Sequence, residues 1–266
     1  MLSENMCHYA GHGRPHVCQR IFRNGNRVPV SRKTVNVIRY FIEDVIPPFL
    51  RDSPLFLAVM YLVFGKDAKR HIAFRTNVLW MSDEDYSSFY AKLVPLMGET
   101  DLNRACLDRI LEETEGERIL DAGCGRGFLA AAIARRLPDS ICVGVDIDPP
   151  QTVEQLANLT FEVGWVGRLP FEDNSFDTVV CTHTLEHLID LEEALHDLRR
   201  ITRKRLIIVV PREREYKYPL NLHVHFFPYV HSFINRVRPP NKAFVCEVLD
   251  GDIYYREDAV IAPGSC

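Results

Sequence analysis

The sequence predicts an α/β protein: a doubly wound, mainly parallel sheet of seven strands whose last pair is antiparallel, preceded by a helical extension. Three observations carry this expectation. From about Gly116 onward, short apolar runs alternate with helix-patterned segments, the rhythm of β-α units. Three glycines, Gly123, Gly125 and Gly127, separate the first of these runs from an alanine-rich helical segment. Near the C-terminus two β-rich runs flank Asp250-Gly251, a strong hairpin signal.

Taken in order, "RILDAG" is the first strand, and the helix behind the glycines is expected over Phe128 to Arg136. "SICVGVDID", "LTFEVGWV" and "FDTVVCTH" read as the second, third and fourth strands, with the Val, Ile, Phe and Thr content of buried sheet. A helix follows from about Asp190 to Ile201, then "RLIIVVP" as the fifth strand and "AFVCEVLDGDIYYRED" as the final pair. The first hundred residues lack this rhythm. Val35, Ile38, Phe41, Ile42, Val45 and Ile46 recur at helical spacing, Ser82 is placed to cap a helix in "SDEDYSSFYAKL", and "DLNRACLDRILEE" is a further helix. Residues 1–100 are therefore expected to form a helical extension or lid, its first thirty or so a flexible polar tail, and residues 101–266 the ligand-binding domain.

At 266 residues and 47% hydrophobic, the chain has apolar material for one sizeable core. A net charge of −4 gives no overall pull toward nucleic acid, which is not an expected partner, although a basic strip runs from Arg199 to Arg205. The eight cysteines form no regular framework, and Cys124, Cys142, Cys181 and Cys246 fall in or beside expected strands, where free Cys packs as a small apolar residue. Cys7, His12, His16 and Cys18 match none of the common zinc spacings. With no apolar leader core in "MLSENMCHYAGHGRPH", the expected setting is reducing and cytoplasmic. The longest apolar run, Pro54 to Phe64, is shorter than the roughly 20 residues of a membrane span, so there is no expected transmembrane segment. A buried or lid helix is expected there, and Lys66, Lys69, Arg70 and His71 directly after it leave weak contact with a membrane surface open. Oligomeric state is not legible.

A strand ending at Asp121 and followed by Gly123, Gly125 and Gly127 places a tight turn at the C-terminal edge of the sheet, where open α/β folds bind ligands. Glycine permits positive φ and close approach of a ligand to the backbone. A dinucleotide fingerprint would put glycines at 123, 125 and 128, but position 128 is Phe.

The stretch "LDAGCGRG" resembles motif I of the class I S-adenosylmethionine (SAM) dependent methyltransferases, a Rossmann-like family, and the likeness runs on from about Leu107. "LPFEDNSFDTVV" followed by "LEHL" is similar to the fourth-strand region of the ubiquinone-biosynthesis-like, or methyltransferase type 11, branch. The resemblance implies SAM as cofactor, lying over Gly123, Cys124, Gly125 and Gly127, with Asp121, Ile147 and Thr182 beside it and Asp146 on the ribose hydroxyls. A carboxylate suits a vicinal diol because it accepts two hydrogen bonds. One departure concerns adenine: the branch carries Asp after the glycine that follows the third strand, whereas here the residue is Trp165, which can stack on a base or simply pack beneath the strand. Arg126, inside the turn, either contacts the cofactor carboxylate or is solvated.

Methyl transfer from a sulfonium needs an aligned nucleophile and, for a hydroxyl acceptor, a base. Histidines collect where such a base belongs: His183 and His187 after the fourth strand, His223 and His225 after the fifth. His183, Glu186 and His187 share a face if a helix turn opens there, and with His223 they could hold a divalent metal. This spacing is similar to the E-x-x-E-H of metal-dependent O-methyltransferases, with His183 replacing the first Glu, which disfavours Mg²⁺ relative to Zn²⁺, Mn²⁺ or Fe²⁺. The alternatives are a histidine acting as base or acceptor anchor without metal, and a purely structural role for "LEH". Tyr86, Phe89 and Tyr90, at helical spacing, are assigned to the core.

The leading expectation is SAM-dependent methylation of a small molecule, most readily at a hydroxyl, with the N-terminal helices forming the acceptor pocket. Two others stand beside it: a metal-assisted O-methyltransferase acting on a vicinal diol or an RNA 3′ end, and a SAM-binding partner protein without turnover, for which Trp165 is the main support.

Overall fold

The computed structural model describes residues 32–91, 100–150, 156–218 and 221–259. Its centre is a seven-stranded sheet: β1 (Arg118–Ala122), β2 (Ile141–Asp146), β3 (Leu159–Val163), β4 (Phe176–Thr182), β5 (Thr202–Pro211), β6 (Phe244–Leu249) and β7 (Asp252–Asp258). The spatial order is β3-β2-β1-β4-β5-β7-β6, with β1 to β5 parallel and β7 antiparallel to both neighbours. The order reverses between β1 and β4, so the glycine turn after β1 opens beside the end of β4 at the switch point of the sheet.

The strands bury both faces because the pleat sends neighbours to opposite sides. Leu120, Val143, Phe176 and Ile208 join one core with Leu195 and Leu198 of the helix Leu191–Ile201, while Ile119, Cys142 and Ile207 join the other with Ile110, Leu129 and Ile133. The helix Phe128–Arg136 starts at Gly127, and Leu191–Ile201 starts at Asp190, whose Oδ1 accepts the Glu193 N–H at 2.9 Å. The hairpin expected at Asp250-Gly251 forms, both residues with positive φ. At the other end of the sheet, the buried Asp177 accepts from Arg203 (2.6 Å) and from the Glu117 N–H (2.8 Å), and Lys204 lies at 3.0 Å. Burial alone would raise its carboxyl, but these partners hold it well below the usual carboxylate range. A short helix, Val230–Val237, was not legible in the sequence and buries Phe233 and Val237 against the sheet.

The N-terminal elements are helices: α1 (Arg32–Tyr40), which runs into a π-helical turn over Phe41–Val45, α2 (Pro48–Arg51), α3 (Pro54–Phe64), α4 (Lys66–Asn77) and α5 (Asp83–Ala91). Ser82 caps α5 as expected, its Oγ accepting the Asp85 N–H at 3.1 Å. Phe74 and Val78 from the end of α4 and Tyr86 from α5 are buried with Leu222, against partly buried Ile147, Trp165 and Val224. The extension thus sits on the C-terminal rim of the sheet. Of the two roles expected for α3, burial needs correction: Leu55 is 70% and Leu62 87% exposed, and among its described side chains only Met60 is buried. The physical reason is that α3 packs chiefly on its neighbour α4 rather than on the sheet. The Cys7, His12, His16 and Cys18 segment, and the flexible tail expected there, lie outside the described residues.

Candidate active site

The turn after β1 is held open by backbone geometry. Gly123, Gly125 and Gly127 have φ of 78°, 52° and 76°, which side-chain-bearing residues rarely adopt. A Cβ at Gly123 would lie 2.2 Å from Thr184 Oγ1 and one at Gly127 2.6 Å from Phe161, whereas at Gly125 it would meet open space. Asp146, ending β2, accepts the Gly125 N–H on Oδ2 (2.8 Å) and the Asp148 N–H on Oδ1 (3.1 Å) while staying partly exposed. Asp121, ending β1, is only 2% exposed, and neither carboxylate oxygen has a hydrogen-bond partner among the described residues. Burial outweighs the nearby Ala130 N–H and, with Asp146 adding like charge, pushes its pKa up to about 7. Cys124 is buried in the same turn, Ile147 follows Asp146 into the aromatic cluster, and Thr182 ends β4 next to His183.

Bare backbone, a diol-sized acceptor group and an orphaned buried carboxylate fit a ligand carrying a ribose and an ammonium group, as SAM does. Trp165 is engaged by protein: its ring lies 5.3 Å from that of Tyr86, with the Arg168 guanidinium also 5.3 Å away. Its contacts within the protein thus tie it to the extension, with the ring only partly buried.

The histidines gather on the adjoining rim, but not as one set. His183 has a positive φ of 50° and turns its ring between Glu186 (Nδ1 to Oε1, 3.5 Å) and Asp252 of β7 (Nε2 to Oδ2, 3.3 Å). Burial alone would lower its pKa, yet the two carboxylates raise it to about 10, so His183 is a cation. Glu186 is fully buried, and neither of its side-chain oxygens has a hydrogen-bond partner among the described residues. The "LEH" turn, Leu185–His187, is a single 3₁₀ turn rather than an α-helix.

His187 Nδ1 lies 2.7 Å from Tyr90 Oη and 3.4 Å from the Leu222 carbonyl oxygen, and Tyr86 Oη donates to the His187 carbonyl at 2.9 Å. With hydrogen on Nδ1, shared between the Leu222 carbonyl and Tyr90 Oη, Nε2 keeps a lone pair; with the Tyr90 hydroxyl donating to Nδ1, the hydrogen is on Nε2. Burial and the nearby His223 lower the His187 pKa to about 4, making it a neutral imidazole. His223 stands with its ring centroid 4.7 Å away and its Nδ1 2.6 Å from Glu213 Oε2. Glu213 also accepts from Asn221 (2.8 Å) and from Arg39 of α1 (3.0 Å). Burial opposes protonation of His223, but Glu213 raises its pKa.

Glu186, His187 and His223 bring their ligating atoms within 4.8 Å of one another, a donor set that could hold a metal ion. His183, expected in that set, is instead paired with Asp252, and the carboxylate between the two arrangements is Glu186. His225 stands apart. Only its backbone reaches the cluster, donating to the Glu186 carbonyl at 3.0 Å, while its ring sits near Arg236 and the Leu188 and Ile189 backbone. The assignment of His225 to the catalytic set is therefore not what the geometry shows.

Sequence reasoning missed Tyr86, Tyr90, Glu213 and Asp252. The tyrosines are in the core, as expected, yet they also hold His187. The signal was two hydroxyl-bearing aromatics four apart on one helix face, a pattern that phenylalanine would have served if packing were the only need.

A family model described as a methyltransferase domain matches residues 120–210, the stretch from β1 through β5. Over that stretch, about a third of the chain, the sequence is that of a methyltransferase domain. An uncharacterized methyltransferase of Schizosaccharomyces pombe is 33% identical over 101 residues, 33% of this chain and 36% of that protein. Ajmaline N-methyltransferase of Rauvolfia serpentina is 30% identical over 107 residues, 37% of this chain and 36% of that protein. Demethylmenaquinone methyltransferase of Roseiflexus castenholzii is 33% identical over 91 residues, 32% of this chain and 38% of that protein. The chain thus spans little more than a third of the length of these relatives. The last two are named for different acceptors. No helix among the described residues is long and apolar enough to cross a membrane.

Proposed function

We propose that the protein is a SAM-dependent methyltransferase acting on a small-molecule hydroxyl. The observation that carries the reading is a partly buried neutral imidazole, His187, set on the rim beside the glycine turn and held at Nδ1 by Tyr90. SAM, when bound, supplies an electrophilic sulfonium methyl group. The chain's own part is to seat the ribose on Asp146, to lay the turn from Gly123 to Gly127 against the cofactor, and to meet its ammonium with Asp121. On the acceptor side, His187 Nε2 takes the hydroxyl proton as the oxygen attacks, a general-base role worth typically about 10² to 10⁴ in rate. His183, held cationic by Asp252 and Glu186, binds rather than deprotonates. The aromatic cluster of the extension excludes water from the reacting atoms. Calorimetric titration with S-adenosylhomocysteine tests the cofactor half: one-site binding lost in Asp146→Ala supports the reading, and well-folded wild type that binds nothing sinks it.

A second reading has its own observation, the buried Glu186 carboxylate, paired with His183 on one side and close to His187 and His223 on the other. Two imidazoles and one carboxylate suit Zn²⁺, Mn²⁺ or Fe²⁺ better than Mg²⁺. A metal there would polarise the acceptor hydroxyl, leaving Glu213 and Tyr90 to orient its ligands. Elemental analysis after loading separates the two: stoichiometric metal lost in Glu186→Gln favours this reading, and metal-free protein with full activity excludes it.

A further inference from the structure

The exposed apolar side chains of this protein are unevenly placed. Together with Trp80 (86%) after α4 and Val163 (72%) of β3, the most exposed large apolar side chains described are Phe49 (75%), Leu55 (70%) and Leu62 (87%). These last three belong to α2 and α3, joined there by Leu50, Val59 and Tyr61. At about 100° per residue, the exposed positions of α3, namely Leu55, Ala58, Val59, Tyr61 and Leu62, cover an arc of roughly 160° without a charged or strongly polar side chain. A surface helix of a water-soluble domain normally turns such an arc inward and shows charge outside.

From this arrangement we infer that α2 and α3 seat the protein on the interface of an anionic lipid bilayer. The inference goes beyond the methyl-transfer reading and does not depend on it. Three features select a bilayer over another occupant. The helix has 11 residues, roughly 16 Å at about 1.5 Å per residue, too short to span a hydrocarbon core and of a length to lie in its boundary. Its charge complements anionic headgroups: α3 carries no charged residue, and the start of α4, Lys66 to Arg70, holds three basic residues against one acidic, Asp67, with Lys69 exposed. On the other flank Asp52 is turned to protein, accepting the Lys217 N–H at 3.0 Å and lying 3.7 Å from Arg51. Finally, an arc this broad is convex, and fluid acyl chains cover a convex apolar ridge without the shaped groove that a protein partner would need. Arg75 of α4 donates to the Tyr216 carbonyl at 2.9 Å and pairs with Glu215 in the loop after β5, so the docking helices are tied to the rim that holds the site.

The test is co-sedimentation of the full chain with vesicles of phosphatidylcholine alone and of phosphatidylcholine with phosphatidylglycerol. Binding is expected to the anionic vesicles, falling about five-fold in Lys69→Gln, the effect of one interfacial charge, and at least about ten-fold in Leu55→Glu/Leu62→Glu. Circular dichroism and unchanged S-adenosylhomocysteine titration of these surface variants show that the fold is intact. The inference is overturned if the wild type stays in the supernatant, or if the double variant binds vesicles as well as the wild type does. It is also overturned if sedimentation velocity shows a dimer that the double variant alone dissociates, since a second copy would then cover this face.

Discussion

Replacing Asp121 by Asn is expected to make the ligand-free protein less sensitive to pH while weakening its hold on the cofactor. Asp121 is buried at the end of β1 with both oxygens unpartnered and its pKa pushed up to about 7 by burial. In the unfolded chain an aspartate titrates near 3.9. A group whose folded pKa is raised gives its stabilisation in full below the unfolded value and loses it as pH rises through the folded one. The loss from this one group between about pH 5 and about pH 8 is roughly 2 to 3 kcal/mol as an upper bound. Urea denaturation of wild type and Asp121→Asn at those two pH values, without ligand, reads it directly. The difference in stability between them should shift by about 1 to 3 kcal/mol in favour of the variant on going to the higher pH. Other titrating groups cancel in that comparison because both proteins carry them. Saturating S-adenosylhomocysteine should restore the wild type's lost stability and do much less for the variant, because the ligand's ammonium neutralises the buried carboxylate. A stability difference that is the same at both pH values would refute the reasoning, since Asp121 would then be either solvated or neutral throughout.

Other consequences are as direct. Gly123→Ala puts a methyl 2.2 Å from Thr184 Oγ1 and should abolish S-adenosylhomocysteine binding and lower Tm, whereas Gly125→Ala meets open space and should cost only the roughly 1 to 2 kcal/mol of a left-handed backbone, read by calorimetry and thermal denaturation side by side. Asp177→Asn removes the charge that the half-exposed Arg203 and Lys204 share at the far end of the sheet and should destabilise the fold by about 1 to 2 kcal/mol with no change in S-adenosylhomocysteine affinity. Tyr90→Phe deletes the hydroxyl beside His187 Nδ1 and should move the His187 ring-nitrogen chemical shifts, seen in a long-range ¹H–¹⁵N spectrum, while leaving those of His225 in place.

The strands and the glycine turn were legible because they are local. Alternation from Gly116 onward, three closely spaced glycines and the Asp250-Gly251 hairpin each reflect a constraint satisfied within a few residues, and the sheet follows from them. The cofactor end was legible for the same reason: Asp121, Gly125 and Asp146 lie on two successive strand ends. The acceptor end was only half legible. Its histidines could be located, but their sorting into a cation, a neutral imidazole and a bystander depends on Asp252, Tyr90, Glu213 and Arg39, partners that lie between 10 and 174 residues away along the chain in the contacts they make. His183 illustrates the limit, since the sequence places it beside Glu186 and only β7 reveals Asp252. Similarly, the apolar run at Pro54 to Phe64 specifies a helix but not what covers it, and α3 turned out to face outward.

The groups that fix the acceptor-side histidines come from α1, α5, the loop after β5 and β7, whereas the groups of the glycine turn all lie between β1 and β4. The division makes the molecule a tool holder with an exchangeable bit. On the reading proposed above, substitutions in Arg39, Tyr90 or Asp252 alter the histidine side of the site and leave the glycine turn as it is, so acceptor choice has its targets far in sequence from the glycines that first draw the eye.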